Sequence, residues 1–153
     1  MKKVLVVCLG NICRSPTAEA VLRATAKKLS IDIEIDSAGT INHHQGKSPD
    51  KRSMAAGEAR GYSFSGITSR PVTQADFELF DYILAADRSN VADLKLICPA
   101  HLQHKISLFL SFAKADNDEI PDPYYGGEAG FELVLDLLED ASTQLLTVIN
   151  KER

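Results

Sequence analysis

Positive charge is the first thing this sequence lacks. Its 17 Lys and Arg residues stand against 21 Asp and Glu, a formal net charge of −4. No basic stripe is available to neutralise a phosphate backbone, which excludes nucleic acid as the main partner. Any anion site has to be built locally. Long apolar runs are missing as well: no segment approaches membrane-spanning length, so no membrane insertion is expected. The opening "MKKVLVV" has the look of a secretory signal, but Gly10, Asn11 and Arg14 break the apolar stretch within a few residues. No small-residue cleavage site follows, and no leader is expected. Cysteine is scarce too. Cys8, Cys13 and Cys98 are odd in number, at spacings that fit neither a zinc pattern nor a secreted disulfide framework. This predicts a reducing, cytoplasmic setting and no metal centre. His43 and His44 are adjacent, but without a further cluster they make no metal site, and no cofactor is expected. Internal repeats, low-complexity tracts and linkers are also absent.

What remains is 153 residues of 44% hydrophobic composition, enough to bury one sizeable core. A single domain spanning residues 1–153 is expected, monomeric because no apolar seam stands out. Four β-rich runs, 3–7, 31–35, 81–86 and 104–109, predict strands. Helical spacing joins Ala18, Val21, Leu22, Thr25 and Leu29, and again Phe131, Val134, Leu135, Leu138, Leu145 and Ile149. Weaker helical patterns cover 50–60, 73–80 and 89–97. Strand and helix in alternation predict right-handed crossovers and an α/β fold, with a mainly parallel sheet carrying helices on both faces. Two stretches rich in turn formers, 37–50 and 113–130, read as long functional loops.

Ligands of such sheets bind outside the carboxyl ends of the strands, and Cys8 ends the first one. The string "VCLGNICRSPTAEA" that begins there reads as an anion cradle. Ser15 is expected as a helix N-cap with Pro16 at the first helical position. The residues between, Leu9, Gly10, Asn11, Ile12 and Cys13, can curl around a tetrahedral anion with their N–H groups inward, Gly10 and Asn11 accepting the positive φ of the curl. Arg14 closes the ring with a planar fork suited to two phosphate oxygens. The same helix N-terminus and guanidinium favour the thiolate of Cys8, and the Ser15 hydroxyl is placed to donate to it. Alone, Cys8 reads as a buried strand-end cysteine and Arg14 as a surface arginine. Together with the loop they read as a nucleophile at the floor of an oxyanion bowl.

This string resembles the signature of the low-molecular-weight protein tyrosine phosphatases. "DSAGT", "FDYILAADRSN" and "PDPYYGG" follow in the order and rough spacing of that family, so the likeness covers most of the chain. The resemblance implies a single domain with a four-stranded parallel sheet and helices on both faces. It also implies metal-free hydrolysis of phosphotyrosine in proteins through a phosphocysteine on Cys8. It assigns Asp122 as general acid and then base, a residue that Pro121 and Pro123 stiffen and that otherwise reads as a turn aspartate. It places Tyr124, and Tyr125 beside it, on the rim against a phosphotyrosine ring, where half-buried loop aromatics are the plainer reading. Asn11, Ser15 and Ser37 resemble residues that support the loop, with local turn chemistry as the alternative. Cys13 matches the family's second loop cysteine, read either as the thiol that captures an oxidised Cys8 or as a small residue packed behind the loop. Cys98 reads as an inert helix-end cysteine.

The chain departs from the family in two places. Arg60-Gly61 stands where His-Gly is common, so that supporting role is not carried over. Where many bacterial members have tryptophan, "INHHQG" follows "SAGT", with His43 near that position, which predicts a more polar pocket wall. Asp87 matches a family aspartate but reads equally as the cap of a helix starting near Ser89. Two alternatives stand beside phosphatase activity: arsenate reduction, which needs two downstream cysteines where only Cys98 follows, and a phosphocysteine carrier, which does not need Asp122.

Overall fold

The computed structural model describes residues 1–42, 45–113, 117–123 and 127–152, with the side chains of residues 127 and 128 outside that description. The first strand, β1 (Lys2–Cys8), runs through the middle of the molecule, and Val4 to Val7 are entirely shielded from solvent. A strand covered on both faces needs apolar residues at every position, which is what the β-branched run supplies. Its two-residue period sends Val4, Val6 and Cys8 to one face and Leu5 and Val7 to the other.

β2 (Ile33–Gly39), β3 (Tyr82–Ala85) and β4 (Ile106–Leu108) complete an all-parallel sheet in the order β2-β1-β3-β4. Helices α1 (Arg14–Lys28) and α5 (Gly127–Lys151) cover the face holding Val4 and Val6, with α2 (Lys51–Ala59) packed beside α5. The opposite face is covered by α3 (Gln74–Leu79) and α4 (Arg88–Ile97), through Phe77 and Leu94. The expected architecture, four parallel strands with helices on both faces, is therefore the observed one. Among the described residues no helix is long and apolar enough to cross a membrane.

The fourth strand is shorter than expected, at Ile106–Leu108, α5 starts at Gly127 inside the expected 113–130 loop, and the largest correction falls on the second strand. The second strand was expected at 31–35 but lies at Ile33–Gly39. Its start is delayed because Ser30, at φ 57°, closes α1: the Ser30 N–H donates to Lys27 O and the Ile31 N–H to Ala26 O, which holds Ile31 in the helix-ending turn. Its end is extended because Ser37, Ala38 and Gly39 pair with Val6, Val7 and Cys8, so a stretch that reads as loop is buried sheet.

The chain leaves β1 for one edge and returns past it to β3, so the connections after these two strands diverge to opposite faces. That is the switch point at which an open α/β sheet forms a crevice. Cys8 ends one of the two strands, and Asp87 lies just beyond the other.

Candidate active site

Cys8 is buried, and its sulfur lies 3.0 Å from Ser15 Oγ and accepts the Asn11 backbone N–H at 3.3 Å. The loop that carries these groups is fixed from outside. The Leu9 carbonyl accepts Ile41 N–H at 3.1 Å, the Gly10 carbonyl accepts the Ser69 hydroxyl at 3.0 Å, and the Ile12 carbonyl accepts Asp50 N–H at 2.7 Å. In a trans peptide the N–H points opposite to the carbonyl. Three outward carbonyls therefore turn the N–H groups of Gly10, Asn11 and Cys13 toward the concave side, the arrangement an anion cradle requires. Gly39 at the end of β2 touches the back of this loop: a Cβ there would stand 2.8 Å from the Leu9 carbonyl.

The reversal of the chain falls on one residue rather than two. Asn11 has φ 55°, while Gly10 is not among the positive-φ glycines, contrary to expectation. Asn11 can hold this conformation because its side chain is fully engaged. Nδ2 donates to Ser15 Oγ at 2.8 Å and Ser37 Oγ at 3.0 Å, and Oδ1 accepts Arg70 N–H at 3.0 Å. Arg70 is itself held by Asp36 and Asp76, whose carboxylates meet its guanidinium at 3.0 and 2.9 Å.

Ser15 is not the helix N-cap. α1 begins at Arg14 with Cys13 in the capping position and no side-chain cap bond, so Ser15 and Pro16 sit in the first turn. The Ser15 hydroxyl is committed to Cys8 and Asn11 instead. Pro16 still falls where a helical N–H has no partner to lose.

Arg14 is buried, and its Nη1 donates to Asp87 Oδ2 at 2.7 Å and to the Ile120 carbonyl at 3.0 Å. Asp87 is also the N-cap of α4, its Oδ1 accepting Asn90 N–H at 2.9 Å. The two readings of Asp87 thus coexist in its two oxygens. Ile120 is buried and donates its N–H to the Ala86 carbonyl at 2.7 Å, pinning the segment that leads to Asp122. Upstream, Arg88 pairs with Asp118, and its N–H donates to Glu119 at 2.8 Å. Asp122 itself is exposed. It shares with Leu9, Arg14, Asp87, Ile120 and Pro121 the lining of a cleft of about 480 Å³.

Cys13 is buried. Burial above all, with the charges of Asp50, Cys8 and Asp122 adding and Ser53 opposing, pushes its thiol up to about 11. Glu19, on the buried face of α1, accepts the Ser37 hydroxyl at 2.6 Å and pairs with Arg23. Burial pushes its carboxyl up, and Ser37 and Arg23 oppose that. Among the described residues no group of three His, Cys, Asp or Glu side chains could hold a metal ion.

The structure thus brings Cys8, Asn11, Cys13, Arg14, Ser15 and Ser37 together and sets Asp122 at the same cleft. Tyr124, Tyr125 and His43 lie outside the described residues. Arg60 is remote, its guanidinium bound to Glu132, Asp136 and Glu139 of α5. Cys98 ends α4, buried in the core on the opposite face of the sheet from that of Cys8. Sequence reasoning missed Glu19, Ser69, Arg70 and Ile120. Only Glu19 left a signal, an acid three residues before Leu22 on a helix face that is otherwise apolar.

Residues 3–153 match the model of the family described as low molecular weight phosphotyrosine protein phosphatase. The chain is similar to the Bacillus subtilis low molecular weight protein-tyrosine-phosphatase YfkJ, 39% identical with 100% of this chain and 99% of that protein covered. It is 44% identical to the low molecular weight phosphotyrosine protein phosphatase of Mus musculus, covering 87% of this chain and 86% of the other. A crystal structure of a protein tyrosine phosphatase from Entamoeba histolytica superposes with a TM-score of 0.95 at 43% identity, over 99% of both chains.

Proposed function

The chain belongs to the low molecular weight phosphotyrosine protein phosphatase family, and on that premise we propose that it hydrolyses phosphotyrosine in proteins, and small aryl phosphates, through a phosphocysteine on Cys8. In the first step the Cys8 thiolate attacks phosphorus from the floor of the bowl. The bond from phosphorus to the phenolic oxygen breaks, and Asp122 gives its proton to that oxygen. In the second step the Asp122 carboxylate takes a proton from water, whose oxygen attacks phosphorus. The sulfur leaves as thiolate, and inorganic phosphate is released. No redox change occurs.

The three equatorial oxygens carry the charge of the transition state. The inward N–H groups of the loop and the guanidinium of Arg14 answer that charge, and they are in place before substrate arrives. Arg14 uses Nη1 for Asp87 and Ile120, which presents the other edge of its fork to the phosphoryl oxygens. The bowl's closure around one tetrahedral group makes a cysteine-bound phosphoryl the natural intermediate. Cys13, two peptide units from Asn11, supplies the thiol for capture of an oxidised Cys8, and its burial makes it a slow one.

The observation that carries this reading is that one cleft is lined by Arg14 from the Cys8 loop and by Asp122 from a segment more than a hundred residues away. Its test is hydrolysis of tyrosine-phosphorylated and serine-phosphorylated peptides of equal sequence, with a metal chelator present. Phosphotyrosine is expected to be cleaved with a large preference. Equal rates, or activity that vanishes with chelator, would overturn it. Arsenate reduction finds no support in the position of Cys98, remote from Cys8.

A further inference from the structure

Glu19 is a buried carboxylate that the proposed mechanism does not use. It is 2% exposed on the second turn of α1. Placing a carboxylate there carries a desolvation cost that hydrogen bonds and a counter-charge have to offset. Its partners fix the direction of every hydrogen bond between itself and Cys8.

The reasoning starts at Arg70, whose backbone N–H can only donate. The atom of Asn11 it meets at 3.0 Å is therefore the amide oxygen, and the amide nitrogen faces the two serines. That nitrogen has two hydrogens and accepts none, so Ser15 Oγ at 2.8 Å and Ser37 Oγ at 3.0 Å both accept. Each serine then has one hydroxyl hydrogen left. That of Ser37 goes to Glu19 Oε1 at 2.6 Å. That of Ser15 has Cys8 Sγ at 3.0 Å and the Ala38 carbonyl at 3.5 Å, and the sulfur is the nearer. The chain of bonds runs from Asn11 outward to both ends, a carboxylate at one and the sulfur at the other.

Were Glu19 unable to accept, the Ser37 hydrogen would lose its acceptor and could turn toward Asn11, meeting the amide hydrogens already there. Asn11 would then lose the bond that holds its left-handed turn, and with it the aim of its own N–H on Cys8 and the orientation of Ser15. The geometry points to Glu19 as a positioning residue for phosphoryl transfer, acting through Ser37 and Asn11 on the donors that face the Cys8 sulfur. This rests on the reading of Cys8 as the nucleophile. Arg23, one turn along α1 and partly exposed, neutralises the far side of the carboxylate, and Asp36 and Arg70 are the other charges acting on it.

The test compares Glu19→Leu, which removes the acceptor, Ser37→Ala and the double variant by three readings: kcat for an aryl phosphate, inhibition by inorganic phosphate, and the rate at which iodoacetate alkylates Cys8. Each single variant is expected to lower kcat and alkylation on the order of tenfold, the scale of one hydrogen bond to a charged group. Phosphate inhibition should weaken less than kcat falls, because the carbonyl bonds of Leu9, Gly10 and Ile12 still hold the rest of the bowl. The double variant should be no worse than either single one. Wild-type alkylation in Glu19→Leu, or losses that multiply in the double variant, would overturn the relay. If Glu19→Leu fails to fold, Ser37→Ala decides alone, since it cuts the link while leaving Glu19 and Arg23 paired; a wild-type alkylation rate there overturns the inference. The reading of Cys8 fails separately, if alkylating that residue in the unaltered protein leaves hydrolysis intact.

Discussion

The two halves of the cleft are built differently. On one side the Cys8 loop keeps Cys8, Asn11 and Cys13 buried, is reversed at a single asparagine and is held by carbonyl bonds to Ile41, Asp50 and Ser69 and by side-chain bonds to Ser15, Ser37 and Arg70. On the other, Asp122 is exposed at the end of a segment anchored through Ile120 and the ion pairs of Arg88. On the proposed mechanism, the contrast follows from the work each side does. A bowl that stabilises charge has to be in place before the charge develops, because reorienting dipoles during the reaction would cost what they return. A proton donor has to reach a leaving group that arrives with the substrate, and an anchored segment with a proline on each side of Asp122 limits its range while leaving it accessible. Arg14 joins the halves, giving one bond to Asp87 beyond β3 and one to the Ile120 carbonyl.

The comparison can be broken from the acid side first. Asp122→Ala is expected to reduce turnover of an aryl phosphate on the order of 10² to 10⁴-fold, with phosphate inhibition unchanged; steady-state kinetics with phosphate as competitor reads both. Parallel loss of binding would mean that Asp122 belongs to the bowl. At the junction, Arg14→Lys keeps the charge and loses the fork, and kcat/KM should fall on the order of 10² to 10³-fold. Asp87→Asn keeps a good helix cap and removes only the charge facing Arg14. A loss of about tenfold in kcat/KM, with thermal stability little changed, would place its effect on Arg14 rather than on α4. On the loop side, Gly39→Ala presses a methyl group toward the Leu9 carbonyl. It should cost about 1–3 kcal/mol of stability, measured by denaturant unfolding.

The smallest effect at neutral pH sharpens the role of Cys13. Its thiol, pushed up to about 11, is protonated at pH 7, and its thiolate fraction grows about tenfold per pH unit below that value. After a peroxide pulse, formation of a Cys8–Cys13 disulfide followed by mass spectrometry should therefore be slow at pH 7 and accelerate toward pH 9. A rate independent of pH over that range would assign Cys13 to packing alone.

The buried side was only partly legible in the sequence, although its central string is the most distinctive in the chain. Cys8, Asn11, Arg14 and Ser15 could be read because strand, loop and helix are contiguous there and each residue type carries a local meaning. Ser37 was legible through a resemblance, while the strand holding it was misplaced, since Ser-Ala-Gly has none of the β-branched character of its neighbours. Ser69 and Arg70 could not be read at all. They act on Gly10 and Asn11 from 59 positions away, through a hydroxyl and a backbone N–H that any loop residue or none could supply. Asp87 shows the limit of local rules from the other direction. Its capping role follows from Asn90 three residues on, but its hold on Arg14 follows only from the order of the strands, which brings the ends of β1 and β3 side by side.

The central claim, that a phosphoryl group passes through the sulfur of Cys8, is tested most directly by acid quenching of the enzyme during turnover of an aryl phosphate and mass spectrometry of its peptides. The account predicts one phosphoryl group on the peptide containing Cys8, and neither phosphorylation nor hydrolysis in Cys8→Ser. Sustained hydrolysis by Cys8→Ser, or a phosphoryl group trapped on any other residue, would contradict it.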